Sequence, residues 1–223
     1  MNKNNNTLII SILIGCFAIA LSIIFYAIKT TPTNSNGNIQ IETEKQVPLE
    51  ISIDDDAVLG DPDAPITLVE FSDYNCSYCK RHFTNTFPLI KKKYIDTGKV
   101  KMVFRDAAYF GQNSIALANA ASCAQKIGGN EAYYKIHTEI FSGNKNLDNI
   151  ILAGSDFGLD KANFSECIKN NEQMDEVLYD SQDARKYGVN GTPGFFINGV
   201  KVSGAVPFDN FEQIIENELS KLN

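Results

Sequence analysis

The stretch that most restricts the fold is a junction. Pro65–Tyr74 reads PITLVEFSDY and runs directly into Asn75–Phe83, NCSYCKRHF. The first part is a β-branched, apolar run ended by a break, the pattern of a buried strand. The second part opens an apolar stripe. Phe83, Phe87, Ile90 and Tyr94 recur at i, i+4, i+7 and i+11, so one face of a helix is apolar. Pro88 interrupts that stripe and should kink the helix. The strand thus feeds a helix, and two cysteines, Cys76 and Cys79, occupy the joint.

Gly98–Asp106 reads as a second strand. A helical block follows: SIALANAASCAQKI, which is alanine-rich, then EAYYKIHTEIF with Tyr133, Ile136, His137, Ile140 and Phe141 on one face, then two shorter candidates. EQMDEVLYDSQDARKYGV carries Met174, Val177, Leu178 and Tyr187 as a stripe. Phe195–Ile197 and Val200–Val202 are short strands, and Asn198-Gly199 between them is a strong type I′ hairpin signal. An amphipathic helix closes the chain. The order is strand, helix, strand, helical block, strand, strand, helix, which is an α/β arrangement.

A length of 223 residues suits one globular domain plus an appendage. A net charge of −7 argues against a nucleic-acid partner. The one dense basic run, Lys91–Lys93, reads as a solvated helix face.

The appendage is N-terminal. Leu8–Ile28 contains no charge and no proline, and its length suffices to cross a bilayer. Three readings compete. Ala18–Ala20 has the small-x-small form of a signal cleavage site, but the apolar run continues past it. Leu13–Cys16 resembles a lipobox, with Cys16 the lipidated residue, but the residues after Cys16 stay apolar. An uncleaved transmembrane anchor, residues 1–29, accommodates all of this. Its short tail stays in the cytoplasm and the bulk of the chain is exported. Residues 30–56 are polar and read as a tether, with VPLEISI alternating weakly as a partly ordered extension. The globular domain is expected over 57–223. With Cys16 set aside, four cysteines remain, an even number that fits two disulfides outside the cytosol.

Three chemistries use a close cysteine pair. Haem attachment wants His directly after the second cysteine, and Lys80 is there. Structural zinc wants four ligands; His82 and His137 would both have to converge on the pair, at a spacing zinc sites rarely use, so no metal is expected. Thiol–disulfide exchange needs less. A helix N-terminus offers unpaired N–H groups and a partial positive charge, and both favour a thiolate at Cys76, the nucleophilic form. Cys79, one turn on, is then the resolving thiol. Pro193 in GTPGFF is, by itself, an ordinary strand-entry proline.

Cys-Ser-Tyr-Cys after ITLVEFSDYN, the intervening helices, and VNGTPGFFINGVKVSGAVPFDNFEQII together resemble the DsbA family of thiol:disulfide oxidoreductases, its membrane-anchored bacterial branch in particular. The resemblance spans about Ala57–Leu222. It implies a thioredoxin-like fold with a helical insertion at roughly 107–187. It implies a cis Pro193 beside the cysteine pair, with Thr192 offering its backbone to an extended substrate. Glu70, six residues before Cys76, matches the family's buried proton-transfer acid, whose burial would raise its pKa; a strand-end surface glutamate is the plainer alternative. No cofactor is implied.

Two features depart from the best-known oxidants. The dipeptide between the cysteines is Ser77-Tyr78 rather than Pro-His, so no imidazole adds positive charge, and a less oxidising disulfide is expected. Cys123 and Cys167 form a second pair, read as a structural disulfide pinning two insertion helices; two buried free cysteines and a redox relay are the alternatives. His137 is expected in the core and His82 exposed.

The resulting expectation is an exported, membrane-anchored protein thiol oxidase. Its substrates would be reduced or misfolded exported proteins, and a quinone-linked membrane partner would reoxidise it. A reductase or isomerase is the alternative within this chemistry. A non-catalytic binding or holdase module with a structural cysteine pair is the alternative outside it.

Overall fold

The computed structural model describes residues 48–222. The expected anchor, Leu8–Ile28, and the first part of the tether lie outside these residues. Among the described residues no helix is long and apolar enough to cross a membrane.

Five strands form one mixed sheet: β1 (Ala57–Leu59), β2 (Ile66–Ser72), β3 (Val100–Asp106), β4 (Gly194–Ile197) and β5 (Val200–Ser203). Their spatial order is β1-β3-β2-β4-β5. β2 and β3 are parallel, and the other neighbours are antiparallel. A parallel pair needs a long crossover. Here it consists of α1 (Ser77–Asn85), α2 (Phe87–Ile90) and a π-helical turn, Lys91–Ile95. The break falls at Thr86 (φ −105°), two residues ahead of Pro88. The pyrrolidine has no N–H to give to the preceding turn and clashes with the carbonyl four residues back, so the helix ends before the ring arrives.

β2 carries apolar residues on both of its faces because the sheet is covered on both. Ile66 and Leu68 point into one core with Ile90, Tyr94, Met102, Phe195 and Phe211. Val69 and Phe71 point into the other with Val103, Phe196, Ala184 and Val189. Strand alternation puts Glu70 on the Leu68 side, facing the cysteine-bearing helix.

Between β3 and β4 come α3 (Gln112–Ser142), α4 (Leu147–Asp156), α5 (Lys161–Lys169) and α6 (Met174–Lys186); α7 (Phe208–Ser220) closes the chain. The thioredoxin-like fold with a helical insertion is therefore present. α3 breaks in the middle at Gly129 (φ 74°, ψ −168°), a conformation open to glycine and strained for other residues. The Asn198-Gly199 turn has both residues at positive φ, 45° and 82°, as a type I′ hairpin requires.

Three features differ from the sequence reading. β1 is only three residues long, too short to leave a periodic signal. From Pro48 on, VPLEISI forms no strand, yet it is tied down: Leu49 N–H donates to Gly199 O (3.1 Å) and Ser52 N–H to Tyr187 Oη (3.1 Å). Ordered contact with the domain thus starts before residue 57. On α6 the buried residues are Val177, Asp180, Ser181 and Ala184, while Leu178 is 46% exposed. The expected apolar stripe is rotated because the inward face carries a carboxylate and a hydroxyl that serve β3.

Candidate active site

Cys76 is the residue that begins α1. Its own backbone is extended (φ −76°, ψ 120°), while its carbonyl already accepts the first helical bond, from Lys80 N–H at 3.1 Å. Its Sγ therefore sits over the free N–H groups of the first turn. The thiol also donates to Thr192 O at 3.3 Å. Hydrogen bonding from the Cys79 thiol, then from the Thr192 side chain and the N–H groups of Cys79 and Tyr78, pulls the Cys76 pKa down to about 5 against the opposing effect of burial.

Cys79 lies one turn deeper and is fully buried. Burial, then the bond to Cys76 and the charge of Glu70, push its thiol far above the usual range. Both cysteines are free thiols. The two members of one pair are thus separated in acidity by position alone.

Glu70 is 4% exposed. It stands opposite Phe104 on β3 and Phe195 on β4, so aromatic neighbours flank it on both sides. Burial raises its pKa to about 8, and the Cys76 charge adds to this. The surface-glutamate alternative does not describe it. The Thr192-Pro193 bond is cis, and Pro193 O accepts from Gly204 N–H at 2.9 Å. Ser77 and Tyr78 both point outward, and Tyr78 is 56% exposed. Arg81 stacks over the Tyr78 ring at 4.8 Å.

Cys123 on α3 and Cys167 on α5 are joined as a disulfide across 44 positions, both deep in the insertion. His137 is buried and hydrogen-bonded through Nδ1 to Tyr74 Oη at 3.0 Å. His82 departs from the expectation of exposure: it is 1% exposed, packed against Phe195 and Phe211 at 4.5 and 5.3 Å. It follows Cys79 by three residues, so helical spacing turns both to the same inward face. Burial lowers its pKa to about 3.

Two polar assemblies escaped the sequence reading. Asp73, 1% exposed, accepts from Asn75 N–H (2.7 Å) and Ser114 Oγ (2.7 Å) through Oδ1, and from Phe110 N–H (3.0 Å) through Oδ2. It clamps the loop before Cys76 to the start of the insertion. The only signal was an acidic residue in the break after a buried strand. The second assembly centres on Arg105 of β3, 2% exposed. Its Nε donates to Asp180 Oδ1 (2.7 Å), and Asp180 Oδ2 accepts from Asp106 N–H (2.7 Å). Asp56 lies 2.9 Å from Nε. A lone arginine in an apolar strand was the available clue. Beside it, Asp54, Asp56 and Glu176 bring carboxylate oxygens within 4.8 Å of one another, an all-oxygen set of the kind that suits a hard cation. His82 and His137 are not part of it.

A family model described as Thioredoxin matches residues 52–217. The chain belongs to the thioredoxin family. Within it, the chain is a thiol:disulfide oxidoreductase of the DsbA family, as its relatives show. It is 28% identical to the disulfide bond formation protein D of Bacillus subtilis over 176 residues, covering 75% of this chain and 79% of that protein. The crystal structure of oxidised BdbD from Bacillus subtilis superposes with a TM-score of 0.73 at 26% identity, covering 78% of this chain and 98% of that one. The structure of alpha-DsbA1 from Wolbachia pipientis gives a TM-score of 0.66 at 27% identity, covering 78% and 97%.

Proposed function

We propose that this oxidoreductase introduces disulfides into exported proteins through the Cys76–Cys79 pair. The observation that carries the proposal is the split between the two thiols: Cys76 is held at about 5 and Cys79 far above the ordinary range. A stabilised thiolate makes the reduced form favourable and the disulfide a ready oxidant.

A substrate thiolate attacks Cys76 Sγ of the oxidised pair. The Cys76–Cys79 bond breaks and a mixed disulfide forms at Cys76. Cys79 leaves as a thiolate and takes up a proton, which Glu70, with its pKa raised to about 8, is suited to supply. A second substrate thiolate then attacks the substrate sulfur of the mixed disulfide. It releases Cys76 as the thiolate and leaves the substrate oxidised. Two electrons have passed from substrate to enzyme, and a membrane oxidase linked to quinone is the natural acceptor. Run backwards, the same pair resolves: Cys76 attacks and Cys79 closes the ring. Thr192, next to the cis Pro193, offers its backbone to the extended substrate as a strand would. Ser77 and Tyr78 tune the potential without contributing positive charge.

In this reading the catalytic domain lies outside the cytoplasm, held by the apolar segment Leu8–Ile28 and the polar stretch that follows it, with residues from Leu49 on already bound to the domain. The disulfide between Cys123 and Cys167 is structural and pins α3 to α5.

The test is the reduction potential of the pair in the full chain, equilibrated with glutathione redox buffers. A value between about −120 and −200 mV is expected for a disulfide donor. A value near about −270 mV would refute the oxidase reading and favour a reductase or isomerase. A pair with no reversible couple would leave the binding-module reading standing.

A further inference from the structure

The chain has a net charge of −7, yet cations gather around the dithiol. Lys80 and Arg81 follow Cys79 on α1, and both are exposed. Arg81 Nη2 donates to Ala205 O at 2.9 Å, on the loop whose Gly204 N–H is bonded to Pro193 O. A third cation, Lys145, lies in the loop after α3. Its Nζ donates to Asn75 Oδ1 at 3.0 Å, which fixes an exposed ammonium beside the residue that precedes Cys76. Lys80 Nζ reaches the same loop, 3.9 Å from where a Cβ on Gly143 would stand.

None of these three side chains is in an ion pair with a carboxylate among the described residues. Two carboxylates near this face have neutral hydrogen-bond donors rather than these cations as partners. Asp73 is buried and takes three donors, and Glu139 accepts from Asn144 Nδ2 at 2.9 Å. A dense acidic group, Asp54, Asp56, Asp180 and Asp183, surrounds Arg105 instead. Three exposed positive charges without a carboxylate partner thus stand near the dithiol of a chain whose net charge is −7, beside the exposed Tyr78 ring.

We propose that Lys80, Arg81 and Lys145 form a cationic collar that selects substrate segments carrying acidic side chains next to the reacting cysteine. The collar deepens the oxidase reading above and rests on it. Uncompensated charges around an entry site raise the local concentration of oppositely charged ligands and their on-rates, and salt abolishes the effect. Main-chain pairing at Thr192 is indifferent to sequence, so the collar supplies a preference that the strand-like contact lacks.

Two peptides test this. Each carries one cysteine pair, and they differ only in having Glu or Lys on both sides of the first cysteine. The second-order rate of exchange with the oxidised full chain is measured at about 10 mM and about 1 M ionic strength, where the Debye length falls from about 30 to about 3 Å. The Glu peptide is expected to react roughly tenfold faster at low salt, and the two rates should converge at high salt. In the Lys80→Gln/Lys145→Gln variant the low-salt ratio should fall towards one. This ratio is unaffected by any general change in Cys76 reactivity, because both peptides report on the same thiol. Equal rates for the two peptides at low salt would overturn the collar and leave the oxidase reading intact, as would a ratio unchanged in the variant. If neither peptide exchanges, both readings fall.

Discussion

Cys76 and Cys79 are three positions apart, free, and split in acidity; Cys123 and Cys167 are 44 positions apart, joined, and buried inside the insertion. The sulfur chemistry is the same, so the difference is one of surroundings. The first pair sits at a helix N-terminus, where N–H groups and a neighbouring thiol stabilise one thiolate. Its open form therefore competes well with its disulfide. The second pair has neither solvent access nor such donors, and its bond closes a long loop between α3 and α5. Loop closure restricts the unfolded chain, so that bond serves stability. On the proposed function, one fold keeps one cysteine pair reversible and shelters the other from exchange.

The contrast can be broken at its strongest point first. Cys76→Ser is expected to reduce exchange with a dithiol peptide to the uncatalysed background, whereas the double change Cys123→Ala with Cys167→Ala should leave the rate constant at Cys76 within about twofold, since additive behaviour is usual for sites with no shared partners. Activity that survived in Cys76→Ser would mean that exchange does not run through this pair.

The acidity of Cys76 comes next. Thiolate absorbance at 240 nm in the reduced protein should titrate with a midpoint near 5 rather than near the ordinary 9.0. Because the folded pKa is the lower one, the Cys76 thiolate stabilises the reduced fold fully above about 9. That contribution shrinks below 9 and is lost as pH falls through about 5. The oxidised protein has no such thiolate, so the pH profiles of the two forms should diverge across this window. Superimposable profiles would contradict the split.

Removing the second pair should cost stability. A closed loop of this length is worth roughly 4 kcal/mol in the chain-entropy model, to be read as a lower denaturant midpoint for the double alanine variant. No change would mean that the bond constrains little.

The smallest effect sharpens the first pair. Tyr78→His should raise the reduction potential by about 30 mV, equivalent to about 1.4 kcal/mol, because an imidazolium beside Cys76 further stabilises the thiolate. A fall in potential would show that ring packing, not charge, governs that position.

Much of this arrangement was legible in the chain. The strand-helix joint at Cys76, the Asn198-Gly199 hairpin and the closing amphipathic helix all rest on local rules: periodicity, turn chemistry and the helix terminus. Where side-chain partners come from distant segments, the local rules fail. Met174, Val177, Leu178 and Tyr187 read as one apolar stripe of α6, but of these only Val177 is buried, and Asp180 and Ser181 face inward beside it because Arg105, Asp106 N–H and Ala108 N–H need acceptors. His82 is expected at the surface, and it is buried because helical spacing sets it on the inward face of α1 with Cys79.

Sequence alone therefore determined which residues are candidates for the chemistry and which elements carry them, since spacing and helix polarity are properties of neighbouring residues. Only the tertiary structure decided how acidic each thiol is, which carboxylates are buried, and which charges surround the entrance. Those depend on desolvation and on partners that fold in from far along the chain: Thr192 against Cys76, Phe195 beside Glu70, and Lys145 on Asn75.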